Sequence, residues 1–281
     1  MSSLGLCNLT LYGQALLATL GFVLMTVSQK EENMRTSNPT LNPEVFSGLR
    51  HVSDRSEAMT VSGVINKTAI LLFLVLLSAG WTWNVFVQSG MNPASVSGYM
   101  MGGVIGGLIA ALVTVFKKEW APYTAPVYAL LEGLFIGGVS SLFEANYPGI
   151  VIQATMMTFG TLAVMLAVYK SGLIEVNDKF RIGVVAATGA IALVYFISFI
   201  ASFFGASMSF IYGSGLFGIG FSMVVVGIAA LNLLLDFDLI EQGASHGLPK
   251  YMDWYAAFSL MVTLIWLYVE ILRLLSKLRE R

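Results

Sequence analysis

Seven apolar runs, each close to the roughly 20 residues that a helix needs to cross a bilayer, constrain this chain most strongly. They cover residues 69–89, 96–116, 124–143, 150–169, 182–204, 209–235 and 254–275. Membrane-spanning strands would be about half this length, and open strands would leave backbone groups unpaired in lipid. The pattern therefore predicts an all-α membrane protein with seven core spans.

The joints between these runs are short and carry helix breakers or charge. Asn92 and Pro93 follow the first run, the charged residues 117–119 follow the second, and Tyr147, Pro148 and Gly149 follow the third. The polar stretch 175–181 separates the fourth run from the fifth. Turn-forming and charged residues of this kind are typical of the membrane surface.

Composition excludes several classes of function. The chain is 57% hydrophobic and 11% charged, whereas a soluble domain is about 25% charged. With a net charge of -1 it has no basic excess for nucleic acid. The apolar spans make the lipid bilayer the expected partner. Its single cysteine, Cys7, and its two histidines, His51 and His246, are too few for a thiolate or histidine metal centre. We expect no cofactor.

Lysine and arginine in short loops indicate the cytoplasmic side of the membrane. They precede the first span and recur after the second and fourth, while the loops after the first, third and fifth spans have none. This places the segment before the first span inside, and seven crossings put the C-terminus outside. Four basic residues crowd that end: Arg273, Lys277, Arg279 and Arg281. Either the last segment re-enters on the same side, or the early loops fix the topology and the tail follows.

Residues 1–66 are not predicted to belong to the helix bundle. Residues 11–27 are apolar, but no lysine or arginine precedes them, as one would for a signal peptide. Residues 1–33 fit an eighth span, an atypical signal-like segment, or an extension ahead of a start at Met34, which we favour. The polar residues 34–66 predict a flexible cytoplasmic arm, and residues 67–281 form the seven-helix domain.

Glycines at helical spacing predict close helix contacts in the second and third spans. They are Gly102, Gly103, Gly106 and Gly107, followed by Gly133 and Gly137. The run at residues 213–218 matches a GxGxxG pattern, but it follows no strand and lies in a membrane segment. We therefore interpret it as packing or a kink and not as a nucleotide site.

Charged residues inside the spans are functional candidates, because charge is costly in hydrocarbon. Asp236 and Asp238 close the sixth span, and Glu241 follows at the membrane interface. Glu270 and Arg273 lie in the last turns of the seventh span, three residues apart, so they are expected to pair on one helix face.

Glu132 stands apart, near the middle of the third span. No basic residue lies in another span before the seventh. We expect this carboxyl to be protonated, exposed to water, or hydrogen-bonded to a hydroxyl such as that of Ser140 or Tyr128.

The segment LLLDFDLIEQG (233–243), followed by AFSLMVTLIWLYVEILRLL (257–275), resembles the Bax inhibitor / YccA family. The likeness extends over all seven spans, including ALLEGLFIGG (129–138) and IQATMMTFGTLAVMLAVY (152–169), and leaves residues 1 to about 66 outside. Within that family the sequence most resembles a bacterial branch. The resemblance implies a seven-helix bundle with the last helix at its centre, in the plasma or bacterial inner membrane.

The same resemblance implies two aspartates, on the sixth and seventh helices, that share a proton and close a pore. Asp236 matches the first, but Thr263 stands at the second position. Asp238 lies about 200° around the helix from Asp236. Glu270 shares a face with Thr263 but is roughly 10 Å away along the axis. We therefore expect Asp236 to stand alone or to partner Glu132, and to respond to pH differently from a carboxylate pair.

Two functions follow from the resemblance. The first is a pH-influenced cation leak, with calcium bound or gated by Asp236 and gathered by Asp238 or Glu241, since calcium prefers oxygen ligands. The second is a non-conducting modulator of a membrane protease or stress-response partner.

An enzyme is not expected from this sequence. No histidine lies in any span to activate a serine, and Asp236 is the one aspartate we place near the hydrocarbon.

Overall fold

The computed structural model describes residues 58–204 and 213–281 of the chain. Over these residues it contains seven long helices, all of them long and apolar enough to cross a membrane. They are α1 Val61–Gln88, α2 Ala94–Phe116, α3 Ala121–Asn146, α4 Ile150–Lys170, α5 Asp178–Phe203, α6 Leu216–Ser245 and α7 Met252–Arg279. The predicted all-α bundle of seven spans is confirmed. The predicted apolar segment 1–33 and residues 34–57 of the arm lie outside the described residues.

Local sequence sets several helix ends. Thr60 caps α1 by accepting a hydrogen bond from the backbone N–H of Gly63 at 3.0 Å, and Asn177 caps α5 in the same way. Gly149 has a φ of 82°, a left-handed conformation that glycine adopts without strain, and it turns the chain into α4. The breakers predicted between the third and fourth spans therefore end one helix and begin the next.

Two helix boundaries differ from the sequence prediction by the largest margin. Helix α1 begins at Val61, so residues 61–66 belong to the helix and not to the polar arm. Helix α6 ends at Ser245, ten residues beyond the predicted end at 235. The polar residues at both places made the apolar runs look shorter than the helices are, because hydropathy marks the hydrocarbon width and not the helical hydrogen bonds. Residues 209–212 of the predicted sixth span lie outside the described residues.

Helix α7 is the centre of the bundle. In its most apolar 18 residues 89% are buried within the protein, compared with 61% for α3 and 17% for α4. It packs against α1, α3, α4 and α6. The central position of the last helix, which the resemblance implied, is thus confirmed, and polar groups on α7 are shielded from lipid.

Glycines bring the first three helices into close contact. A Cβ added to Gly103 would lie 2.6 Å from the carbonyl oxygen of Leu131, and one on Gly133 or Gly137 would meet the backbone of α1. These positions confirm the predicted small-residue contacts. Gly102 differs, because nothing lies within 4 Å of its added Cβ.

The two ends of α7 lie on opposite sides of the bundle. At its start, the backbone N–H of Thr60 donates to Asp253 at 3.0 Å, next to the beginning of α1. At its end, Arg279 donates to the carbonyl oxygen of Pro148 at 2.8 Å, in the α3–α4 loop. Because α7 is one continuous helix, the idea that the last segment re-enters on the same side is wrong.

The C-terminal end is also held by Tyr147, which donates a hydrogen bond to Glu280. Burial and the neighbouring carboxylate raise the pKa of Tyr147 to about 12, so its hydroxyl remains a donor at physiological pH. Three of the four basic residues near this end, Arg273, Lys277 and Arg279, form hydrogen bonds within the protein.

Candidate functional site

Asp236 is buried where α6 packs on the central helix, with 1% of its surface exposed. It lies inside α6, because the helix runs nine residues beyond it. Its Oδ1 accepts a hydrogen bond from the hydroxyl of Ser259 on α7 at 2.6 Å. Its Oδ2 is buried and has no hydrogen-bond partner among the described residues. One of the two carboxyl oxygens therefore lacks a hydrogen bond. A buried polar atom without a partner is rare, and this favours a functional role for Asp236 over a purely structural one.

Thr263, the residue at the position of the second aspartate, lies one turn beyond Ser259 on α7 and is 1% exposed. It is the other polar side chain beside the carboxyl of Asp236. Its hydroxyl donates to the carbonyl oxygen of Ser259 at 3.3 Å. The structure therefore brings Asp236 and Thr263 together, as the alignment predicted, but it makes Ser259 the hydrogen-bond partner, which the sequence analysis missed.

Glu132 does not take the place of the second acid beside Asp236. It is 1% exposed and lies at the interface of α3 with α2, where its Oε2 would be 3.2 Å from a Cβ added to Gly107. The hydroxyl of Tyr128 lies beside it, one of the two hydroxyls predicted from the sequence. The other, that of Ser140, pairs instead with Tyr268 at 2.7 Å.

Asp238 and Glu241 are held by neighbouring helices. Asp238 forms an ion pair with Arg181 at the start of α5 and accepts hydrogen bonds from Gln242 at 2.9 Å. Glu241 accepts from the hydroxyl of Tyr169 on α4. Both carboxylates lie in the last three turns of α6, where Asp238 is partly buried and Glu241 is exposed.

Glu270 and Arg273 pair as predicted, but in the protein interior. Arg273 Nη1 lies 2.9 and 3.1 Å from the two carboxylate oxygens of Glu270, whose exposed fraction is 0%. Tyr195 of α5 donates to the same carboxylate at 2.8 Å, and its ring lies 5.4 Å from the guanidinium of Arg273. The sequence placed this pair near the end of the last span, but the central position of α7 buries it.

Three further buried polar residues were missed by the sequence analysis. Lys277 donates to the carbonyl oxygen of Gly218 at 3.0 Å and to Ser222 at 2.8 Å. Asn232 donates to Thr188 of α5 at 2.9 Å. The sequence contains one signal for both: Lys277 lies four residues after Arg273 and Asn232 four before Asp236, each on the helix face of a candidate residue. That these faces are buried required the structure.

The third is Asp253, which the sequence analysis did not count among the aspartates near the hydrocarbon. It lies in the first turn of α7, with an exposed fraction of 0%. One oxygen accepts from the backbone of Thr60 at 3.0 Å and the other lies 2.9 Å from Lys250. The predicted seventh span begins at residue 254, one residue after Asp253, whereas helix α7 begins at Met252.

Buried polar side chains of α5, α6 and α7 form separate hydrogen-bonded groups, which we together call the polar column. The groups are Asp236 with Ser259, Asn232 with Thr188, Glu270 with Arg273 and Tyr195, and Lys277 with Ser222. From residue 236 to residue 222 the column follows α6 for about 21 Å. Among the described residues, no three histidine, cysteine, aspartate or glutamate side chains gather in a metal site. An ion at Asp236 would therefore meet one carboxylate and neutral oxygens.

Comparison with known proteins gives one match. The sequence profile of the family described as "Bax inhibitor 1 like" matches residues 22–280. The match begins at residue 22, so it includes the arm that the resemblance was expected to leave outside. No curated protein and no solved structure matches the chain.

Proposed function

Because this chain belongs to the Bax inhibitor 1 like family, we propose that it is a pH-influenced cation leak channel, with calcium as the ion that fits its chemistry. The observation that carries the proposal is the carboxyl group of Asp236, buried against the central helix with one oxygen free of hydrogen bonds among the described residues. A membrane protein keeps such a group in its interior when ions or protons use it.

The chemistry at Asp236 suits transient binding of a hard cation. The carboxylate of Asp236 and the hydroxyl oxygen of Ser259 provide oxygen ligands, which calcium prefers. Protonation removes the negative charge and turns one carboxyl oxygen into a hydrogen-bond donor. Cation flux therefore falls as the pH is lowered through the titration of this group.

Asp238 and Glu241 serve the proposed pathway at its cytoplasmic mouth. Their carboxylates lie at the end of α6 that follows Asp236, and Asp238 is bound to Arg181. This ion pair holds the mouth together and reduces its negative charge. In the proposed channel these residues tune the local calcium concentration, and Asp236 controls passage.

Ion flux into liposomes that contain the purified protein tests the proposal. A calcium-sensitive dye inside the vesicles reports entry over a series of pH values, with empty vesicles as the baseline. The unsubstituted chain is expected to conduct more at high pH than at low pH, and Asp236→Asn is expected to lose this difference. Asp178→Asn, the same change at an exposed position at the start of α5, is the matched control. Flux no greater than that of empty vesicles, or unchanged flux in Asp236→Asn, would refute the proposal.

The alternative is a non-conducting modulator of a membrane protease or stress-response partner. One observation favours it: the half of the polar column away from Asp236 contains Arg273 and Lys277 against the single acid Glu270, which opposes cation passage. Affinity capture from membranes, with the full chain and with residues 34–57 deleted, distinguishes the two. A protease captured only by the full chain, together with absent flux, supports the alternative.

Location and chemistry complete the proposal. We place the protein in the plasma membrane or bacterial inner membrane, with the start of α1 in the cytoplasm, because the basic loops lie at that end of the bundle.

We propose no enzymatic activity. The two buried aspartates of the described residues do not form a catalytic pair, because Asp253 is bound to Lys250 and Thr60, and Asp236 is bound to Ser259.

A further inference from the structure

A crevice of about 290 Å³ lies between α1 and α4. Helices α3 and α7 form its back wall, and each of them contacts both α1 and α4. The walls are almost entirely apolar, and small residues create the space. The lining includes Ala79 and Gly80 of α1, Gly137 of α3, Thr155 of α4, and Ile265 and Tyr268 of α7.

The crevice opens towards the lipid. Leu76 on α1 and Phe159 on α4 line it, and they are 68% and 49% exposed on the outer surface of the bundle. A membrane protein presents such apolar side chains to hydrocarbon. The mouth of the crevice therefore faces acyl chains and not water.

The dimensions of the crevice correspond to one leaflet. On α1 its lining runs from Leu72 to Trp83, a rise of about 16 Å, which is roughly half of the ~30 Å hydrocarbon thickness. On α4 it begins at Val151, directly after the α3–α4 loop. The crevice thus lies in the half of the bilayer on the side of that loop.

The hydroxyl groups that line the crevice are already hydrogen-bonded. The hydroxyls of Ser140 and Tyr268 are hydrogen-bonded to each other at 2.7 Å. Thr155 and Thr158 each donate to a carbonyl oxygen of their own helix at 2.8 Å. These groups have no need of a water molecule or an ion, so the site favours an apolar occupant.

We propose that this crevice binds one acyl chain of a phospholipid from the leaflet on the α3–α4 side. An empty apolar space of this size would forfeit the dispersion contacts of its walls. The hydrocarbon at the mouth can enter between α1 and α4 without dehydrating any polar group. The bound acyl chain contacts Leu264 and Ile265 of the central helix. These residues directly follow Thr263, the residue beside Asp236.

A photoreactive lipid tests this inference directly. The purified full chain is reconstituted in nanodiscs that contain a phosphatidylcholine with a diazirine at mid-chain, irradiated, and digested for mass spectrometry. Leu264 and Ile265 are 3% and 8% exposed, so an acyl chain reaches them only through the crevice. Label on the peptide with residues 264–268 supports the inference. Label confined to the outer faces of the other helices would overturn it.

Photolabelling of a variant in which a larger side chain fills the crevice is compared with that of a control variant. Gly80 lines it and has nothing within 4 Å of an added Cβ, so Gly80→Phe places a ring in the open space. Label on α7 is expected to fall to background. Gly102→Phe, at an equally open glycine on the lipid-facing side of α2, is expected to leave it unchanged.

Thr155→Phe, on the opposite wall, is a second filling variant, and size-exclusion chromatography verifies that each variant is folded. Undiminished α7 label in both folded filling variants would overturn the proposal. This result is independent of ion flux, so the lipid site and the leak channel can fail separately.

Discussion

The hydroxyl of Ser259 on α7 donates to Oδ1 of Asp236 on α6 at 2.6 Å, and both side chains are almost completely buried. This bond joins the central helix to the helix that carries the candidate ion-binding carboxyl. It also links the stability of the bundle to the state of the proposed site.

Ser259→Ala is expected to destabilise the protein by about 1–3 kcal/mol, because a buried carboxyl oxygen loses its donor. The apparent melting temperature in detergent, followed by tryptophan fluorescence, measures the effect. In an Asp236→Ala background the same change should cost much less, since the acceptor is already gone. Equal losses in the two backgrounds would show that the hydrogen bond contributes nothing.

Thr263→Asp places a second carboxyl beside Asp236. Two carboxyls at this distance interact strongly, so their protons come off in two coupled steps that belong to the pair. We expect calcium flux in liposomes to change over a wider pH range than in the unsubstituted chain. Thr263→Ser retains the hydroxyl and is expected to keep the original pH profile. If Thr263→Asp has that profile too, the two side chains are not coupled.

Adjacent glycines on α2 allow a test of the helix contacts. Gly103→Ala forces a methyl group to within 2.6 Å of the carbonyl oxygen of Leu131, so it is expected to cost about 1–3 kcal/mol. Gly102→Ala enters open space and is expected to be neutral or slightly stabilising. Thermal unfolding of the two variants in the same detergent measures the difference. Equal stability of the pair would contradict the close packing of α2 on α3.

Asp253 should stabilise the start of α7 mainly through the backbone of Thr60. Asp253→Ala leaves that N–H without its acceptor and is expected to cost about 1–3 kcal/mol. Lys250→Ala removes only the ion pair, and its side chain is 48% exposed, so the loss should stay below about 1 kcal/mol. Limited proteolysis ahead of α1 provides a second measurement, with faster cleavage expected in Asp253→Ala. A larger effect of Lys250→Ala would assign the stabilisation to the ion pair.

Hydropathy alone was sufficient to predict the number of spans and their order, because lipid imposes both the length and the helical form of a crossing segment. Asp236, Glu270 and Arg273 could be chosen as candidates for the same reason, since charge in a span is rare. The ends of α1 and α6 could not be located in this way, because a helix can continue past the hydrocarbon through polar residues.

The contacts of the site required the three-dimensional arrangement. Ser259 is a common small polar residue in an apolar run, and nothing in the sequence distinguishes it from Ser276 of the same helix. Lys277 looked like part of a solvated basic tail, but the central position of α7 buries it against Ser222. Burial of this kind depends on which helix occupies the centre, and local patterns do not encode that choice.

The side of the C-terminus is the last prediction. The structure gives seven crossings, with Arg279 bound at the α3–α4 loop and Asp253 bound beside the start of α1. Single cysteines can be introduced into a Cys7→Ser chain and labelled in intact cells with a membrane-impermeant maleimide. Arg281→Cys and Ala145→Cys should react from outside, and Ser171→Cys should react only after permeabilisation. Labelling of Arg281→Cys and Ser171→Cys from the same side would contradict the path of α7 across the membrane.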